Sequence, residues 1–280
     1  MQNTKDFEIF AAKIRLETTK MVGTRGFGHI SGSLSVADAL AVLYAEGGAM
    51  NVRPKEPKWD GRDKLVMSKG HAGPAVYSAL ALRGFFPMDW LATLNQPETR
   101  LPSHCDMKLT PGVDFTTGSL GQGASAAVGL ALAQKMDNFP SKTYLFLGDG
   151  ECNEGQVWEA VMFAAQHKLS NLVTFVDYNK KQLDGTTDEV IDMGDIAAKF
   201  TEFGWNSQKV NGQCVAEIYT ALQNLSADLP NAIILNTTKG AGVSAVADVT
   251  LNHHMVVDGD LLVAAINECE AKLAELGACK

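Results

Sequence analysis

Two side chains thirty residues apart, Asp149 and Asn179, hold the oxygen atoms best suited to chemistry in this sequence. Gly148-Asp149-Gly150 closes one apolar run, 143–147, and Asp177-Tyr178-Asn179 closes another, 172–176. A carboxylate and an amide oxygen are hard ligands, suited to Mg2+ or Ca2+. Gly150 lets the backbone approach a phosphate closely, and a helix starting just beyond it would aim its first N–H groups at the same point. Asp-Gly is also an ordinary turn dipeptide. What favours the binding reading is the pairing: both residues stand at the ends of strand-like runs that flank one helical stretch. The rival phosphate cradle, G-x-x-x-x-G-K-[ST], does not occur.

Six histidines add a second candidate set. Taken singly, a histidine is more often structural or solvent-facing than catalytic. Five of these, however, fall in Gly-rich or loop contexts where function concentrates: Gly28-His29, Gly70-His71, Ser103-His104, and His253-His254 after Leu251-Asn252. His167 falls on the polar side of a helix and reads as structural. Glu154, five residues after Asp149, fits a helix N-terminus, where the macrodipole favours a carboxylate. Cys152 beside it reads as a small filler.

These residues need strands and helices to hold them. The runs 143–147 and 172–176 are short, continuous and apolar, as strands covered on both faces are. Between them Val157, Trp158, Val161, Met162 and Ala165 recur at helical spacing. Strand, helix, strand predicts a βαβ unit with parallel strands and a right-handed crossover. Both strand tips then share the carboxyl edge of the sheet, where α/β proteins bind ligands. Further strands are predicted at 232–235 and 65–67. Helices are predicted over 36–44 with Ser35 as N-cap, over 74–82, over 123–136, and over 261–276 ending near Gly277. The expected fold is α/β: a mostly parallel central sheet with helices on both faces, one domain over 1–280. The stretch 51–62 reads as a surface loop, and no repeat or linker divides the chain.

Composition excludes several functions. The chain has 280 residues, 46% of them hydrophobic and 20% charged, which suits a sizeable core. A net charge of -8 argues against nucleic acid, since phosphate contacts need clustered Lys and Arg. The N-terminus has no basic-then-apolar signal, and the small apolar run 124–133 is too short to span a bilayer. Five scattered cysteines, with no C-x-x-C pair, fit a reducing cytoplasm better than a disulfide framework or zinc.

Gly148-Asp149-Gly150 followed by Asn179 resembles the thiamine-diphosphate signature, and the histidine contexts are similar to those of transketolases. The matching segments are Gly28 to Ser35, Ser68 to His71, Pro111 to Gly123, and Lys239 to Gly242 followed by His253. The resemblance implies thiamine diphosphate and a divalent cation, Mg2+ or else Ca2+ or Mn2+. That cation would be held by Asp149, Asn179 and the main-chain carbonyl of Lys181. The family usually has an apolar residue at 181, but only its backbone is needed. The resemblance further places His71, Gly118, Ser119, Leu120, Gly150 and His253 at the cofactor. It places His29, His104 and His253 at the donor sugar. Glu154 would hydrogen-bond an activating Glu across a subunit interface. Ser119 stands where the family has Pro, in a loop that acts through its backbone. His254 replaces a common Gly, which leaves open whether His253 or His254 enters the site.

In this family a carbanion at the cofactor's thiazolium carbon does the chemistry. A Glu on a second, pyrimidine-binding domain activates that carbon. Ordinary transketolases carry this domain on the same chain and are more than twice as long. Here the resemblance ends where that domain would begin, and Lys280 follows a predicted complete helix. The expectation is therefore the N-terminal subunit of a split transketolase. Its partner, a C-terminal subunit in an α2β2 assembly, would bring the activating Glu and the sugar-phosphate contacts. The α subunit of a 2-oxoacid dehydrogenase shares the Asp–Asn signature but lacks S-x-G-H and T-T-G-x-L-G-Q-G. A deoxyxylulose-phosphate synthase normally keeps its domains on one chain. A non-catalytic scaffold of the same fold is the third alternative.

Overall fold

The computed structural model describes residues 2–247, 249 and 252–278. Met1, Asp248, Thr250, Leu251, Cys279 and Lys280 lie outside the described residues, and with them the expectations placed on Leu251, Cys279 and Lys280.

Five strands form one parallel sheet: β1 (Lys64–Met67), β2 (Thr143–Gly148), β3 (Leu172–Tyr178), β4 (Asn206–Asn211) and β5 (Asn231–Asn236), in the order β1-β2-β3-β5-β4. Strand side chains alternate between two cores. Met67, Tyr144, Phe146, Val173, Phe175, Ile233 and Leu235 face one; Val66, Leu145, Leu147, Leu172, Val176, Ala232 and Ile234 face the other. Burial on both faces is why these strands read as unbroken apolar runs.

The first core is closed by α1 (Gln2–Arg25), α2 (Ala37–Tyr44), α3 (Gly73–Arg83), α7 (Val215–Gln223) and α8 (Gly259–Glu275). The second is closed by α4 (Gln122–Met136), α5 (Gly155–Gln166) and α6 (Ile196–Glu202). A two-residue antiparallel ribbon pairs Phe27–Gly28 with Met255–Val256. The predicted helices over 36–44, 74–82, 123–136 and 261–276 are α2, α3, α4 and α8. The predicted strands are β1, β2, β3 and β5.

One expectation fails. Ser35 does not cap α2; Val36 holds the N-cap position without a side-chain bond. The Ser35 hydroxyl instead donates to Asp177 Oδ2 at 2.6 Å and to the carbonyl of Gly32 at 3.2 Å. Ser35 closes the preceding turn with helical backbone, φ -61° and ψ -27°, whereas a capping residue needs extended backbone to aim its oxygen at the first N–H groups.

Candidate functional site

Register brings the two predicted ligands together. Gly148 pairs with Asp177 across β2 and β3, and Asp149 N–H donates to the carbonyl of Asp177 at 3.2 Å. The chain then turns at Lys180, whose φ of 63° is left-handed. That turn aims Lys180 N–H at Asp149 Oδ2, 2.6 Å away, so the carboxylate lies against the Asn179–Lys180 backbone. Gly150 N–H donates to Asp149 Oδ1 at 2.8 Å. Asp149 and Asn179 are both buried. Burial, and then the neighbouring Asp177 charge, push the Asp149 carboxyl up to about 6. The Lys181 side chain points away, its Nζ 3.5 Å from the carbonyl of Val249. Its own carbonyl accepts from Lys239 Nζ at 3.1 Å.

Asp177 and Lys69 were not anticipated as site residues. Asp177 is fully buried and paired with Lys69 at 2.5 Å. It also accepts from Ser35, from Thr237 Oγ1, and from Asn179 Nδ2 at 2.8 Å. Burial alone would raise this carboxyl, but the Lys69 ammonium and the hydroxyl donors outweigh it and hold Asp177 below the usual carboxylate range. The available signal was an ionisable residue inside an apolar strand, which demands buried partners. Glu151 was missed as well. Its Oε1 accepts from Ser68 Oγ and from Gly121 N–H at 2.8 Å, and its Oε2 from Gly148 N–H at 3.0 Å. It thereby ties the loop carrying Gly118, Ser119 and Leu120 to the turn carrying Asp149. Those three loop residues are themselves exposed.

The 3-10 turn Gly70–Ala72 carries His71. A Cβ on Gly70 would lie 2.9 Å from Gly118 N and 2.9 Å from His104 Cδ2, so this close approach requires glycine. The short ribbon places His29 beside His253 and His254 across the fold. Ring centroids lie 5.7 Å apart for His29–His71, 5.6 Å for His29–His104, 5.4 Å for His29–His253, 4.7 Å for His29–His254 and 4.7 Å for His71–His253.

Burial, chiefly, lowers the imidazoles: His29 to about 4, His253 to about 3, and His71 and His104 below the ordinary value. Each of these four is uncharged at neutral pH and can donate one hydrogen bond and accept another. Lys239, lowered by burial to about 8, keeps its proton at pH 7 and lies 3.2 Å from His253 Nδ1. An ammonium only donates, so His253 Nδ1 accepts and its proton sits on Nε2. His253 is the inner residue, against Lys239 and His71. His254 is exposed, at the rim with Phe27, over which Arg25 stacks.

Glu154 lies apart from this cluster, exposed at the N-cap of α5 and making no cap bond. Cys152 is fully buried and its thiol is pushed well up, as a filler's would be. His167 ends α5 on the surface, its ring 4.2 Å from that of Phe163. A cavity of about 720 Å3 between α1 and α8, lined in part by Arg15, Asp38, Glu268 and Cys269, shares none of the predicted site residues.

The donors present fit a cation carrying a diphosphate. One carboxylate, one amide oxygen and one carbonyl are a hard-oxygen donor set, about three ligands short of the octahedral shell that Mg2+ demands. Three buried polar atoms nearby have no partner: Thr117 Oγ1 beside Gly118, Asn153 Nδ2 just after the Asp149 turn, and Gln182 Nε2 in the side chain packed on Gly150. A buried polar atom without a protein partner leaves a bond for water, an ion or a ligand to make. Among the described residues no cluster of three or more His, Cys, Asp and Glu could hold a metal, as expected where two of the three ligands are amide and carbonyl oxygens.

Comparison with known proteins agrees with this geometry. The family profile "Transketolase, thiamine diphosphate binding domain" matches residues 8–269. The chain is 47% identical over 267 residues to a 6-deoxy-6-sulfo-D-fructose transketolase subunit of Clostridium sp. (strain MSTE9), covering 95% of this chain and 96% of that one. It is 36% identical over 271 residues to an apulose-4-phosphate transketolase subunit of Phocaeicola vulgatus, covering 96% and 95%. Human transketolase is 35% identical over 239 residues, 85% of this chain but only 38% of its own length. The crystal structure of Campylobacter jejuni transketolase superposes with a TM-score of 0.86 at 28% identity, covering 99% of this chain and 46% of that one.

Proposed function

This chain belongs to the transketolase family, as its thiamine diphosphate-binding domain, and from that premise we propose that it is the N-terminal subunit of a split transketolase, moving a two-carbon ketol unit from a ketose to an aldose. The observation that carries the reading is the bridge made by Lys239, which joins the Lys181 carbonyl on one side to His253 on the other. It couples the oxygen set to the imidazole cluster in a single site. Asp149, Asn179 Oδ1 and the Lys181 carbonyl would hold Mg2+, or Ca2+ or Mn2+ in its place. Gly150, His71, His253 and the 118–120 loop would meet the diphosphate and ring of thiamine diphosphate. Bound there, the cofactor supplies the carbon nucleophile and the electron sink. The chain's own work is orientation and proton handling: uncharged His29, His104 and His253 donate to or accept from sugar hydroxyls in the transition state. Contact of Gly70 with Gly118 and His104 joins the two segments that a 2-oxoacid dehydrogenase lacks, which favours ketol transfer.

Residues 1–280 act in this reading as one diphosphate-binding domain. The chain spans under half of the human and C. jejuni transketolases but nearly all of the relatives whose names say subunit. A separate chain therefore brings the pyrimidine-binding domain and activating Glu, in an α2β2 assembly. Glu154, exposed and next to Gly121 of the 118–121 loop, awaits that Glu. Localisation to the cytoplasm is supported by four free cysteines among the described residues. No helix there is long and apolar enough to cross a membrane. The test is to co-purify the chain with its genomic neighbour and assay ketol transfer with thiamine diphosphate and Mg2+. The donor panel includes 6-deoxy-6-sulfo-D-fructose and apulose 4-phosphate. Transfer from at least one donor is expected; none from any donor overturns the proposal.

A further inference from the structure

Asp177 is buried to 0% exposure at the end of β3, and none of the contacts ascribed above to cation, cofactor or sugar includes it. Four donors converge on its carboxylate. Lys69 Nζ, Ser35 Oγ and Asn179 Nδ2 reach Oδ2 at 2.5, 2.6 and 2.8 Å, and Thr237 Oγ1 reaches Oδ1. These donors come from four separated parts of the chain, so the carboxylate is fixed in orientation. A carboxylate can only accept, and so the Asn179 group facing it must be the NH2. The opposite edge of that amide is then oxygen. Asn179 Oδ1 takes the Lys181 N–H at 3.1 Å and keeps a second lone pair for a cation. Were the amide turned over, two oxygens would face each other beside Asp177, while N–H groups would point at the cation.

We propose that Asp177, anchored by Lys69, is a positioning residue that commits Asn179 to offer oxygen rather than N–H to the divalent cation at Asp149. This rests on the cation reading given above. Residues that orient metal ligands are commonly worth ten- to a hundredfold in metal affinity, roughly the size of effect expected here.

The test is Mn2+ titration of the complex co-purified with its partner subunit, with thiamine diphosphate present, followed by the loss of the free Mn2+ electron paramagnetic resonance signal relative to a protein-free blank containing the same thiamine diphosphate. Asp177→Asn should weaken Mn2+ binding about ten- to a hundredfold while the far-ultraviolet circular dichroism stays native. Because that variant leaves the Lys69 charge buried without its partner, Lys69→Met/Asp177→Asn is measured alongside and should show the same loss. Adding Asn179→Asp to the double variant supplies an oxygen whichever way the group turns, and should restore binding to within about tenfold of wild type. Absence of rescue means the loss was structural and overturns the proposal, as does Mn2+ affinity within threefold of wild type in both variants. A wild-type complex that takes up no Mn2+ beyond the blank overturns the cation reading itself.

Discussion

Freed of divalent ions, a chain carrying Asp149→Asn should be more stable than the natural one at pH 7.5. Folding takes the Asp149 carboxylate out of water and sets it near the Asp177 charge, and its pKa rises from 3.8 to about 6. Each pKa unit corresponds to about 1.4 kcal/mol, so a shift of roughly two units costs the folded state about 3 kcal/mol at neutral pH. Asparagine removes that charge but can accept only one of the two backbone N–H groups, from Gly150 and Lys180, that now bond the carboxylate. The donor left without an acceptor costs about 1 kcal/mol, leaving a net gain of about 2 kcal/mol. The pH dependence has a fixed sign. A group whose pKa rises on folding contributes stability that is complete below its unfolded value and lost as pH climbs through its folded value. The variant's advantage should therefore be full above pH 7, shrink as pH falls from about 6 to 4, and turn into a deficit of about 1 kcal/mol below, where only the lost hydrogen bond remains. Urea unfolding in EDTA at pH 7.5 and pH 5, read by tryptophan fluorescence, measures it. Mg2+ with thiamine diphosphate should stabilise only the natural chain, by about 2.7 kcal/mol at a hundred times Kd. A variant no more stable in EDTA at pH 7.5, or one whose advantage grows with acid, would refute this reasoning.

The two adjacent histidines should separate in the assembled enzyme. His253→Ala should lower kcat/KM about 10²- to 10⁴-fold, as loss of a positioned proton-transfer group does. His254→Ala, at the exposed rim, should change KM more than kcat and by less than about tenfold; steady-state kinetics giving the reverse order would assign the inner role to His254. Gly123→Ala should destabilise the chain by about 1–3 kcal/mol in urea. Its Cβ would lie 2.5 Å from Ser68 Oγ and 2.8 Å from Ser68 Cα, and the backbone atom cannot swing aside; an unchanged midpoint would mean that α4 shifts freely against β1.

What the sequence disclosed depended on whether a residue's environment was local. Strands β2, β3 and β5 were legible because burial on both faces leaves continuous apolar runs. The edge strand β4 is Asn-Ser-Gln-Lys-Val-Asn, with one apolar residue, and nothing in its period marks it as a strand. Helix α1 escaped because its inward stripe of Phe7, Ala11, Ile14, Met21 and Val22 is interrupted by Thr18 and Thr19, both buried. The Thr18 hydroxyl meets Ser78 at 3.0 Å, a contact no helical period can show. At the site, Asp149 and Asn179 were legible because each ends a strand. Asp177, Lys69 and Lys239 were not, because they act through pairs formed across more than fifty residues. His253 and His254 could not be told apart since both follow the same unmarked loop; the ribbon register turned one inward.

That ribbon carries an energetic consequence. It joins Phe27 to Val256, and closing a loop of roughly 230 residues costs on the order of 5 kcal/mol of chain entropy. Two paired residues cannot repay this alone. The closure leans on α1 seated against α8, where Gly23 lets Leu262 approach too near for any side chain. The histidine cluster is therefore held in place by helix packing rather than by the ribbon itself, whereas the oxygen set stands on the tips of the sheet.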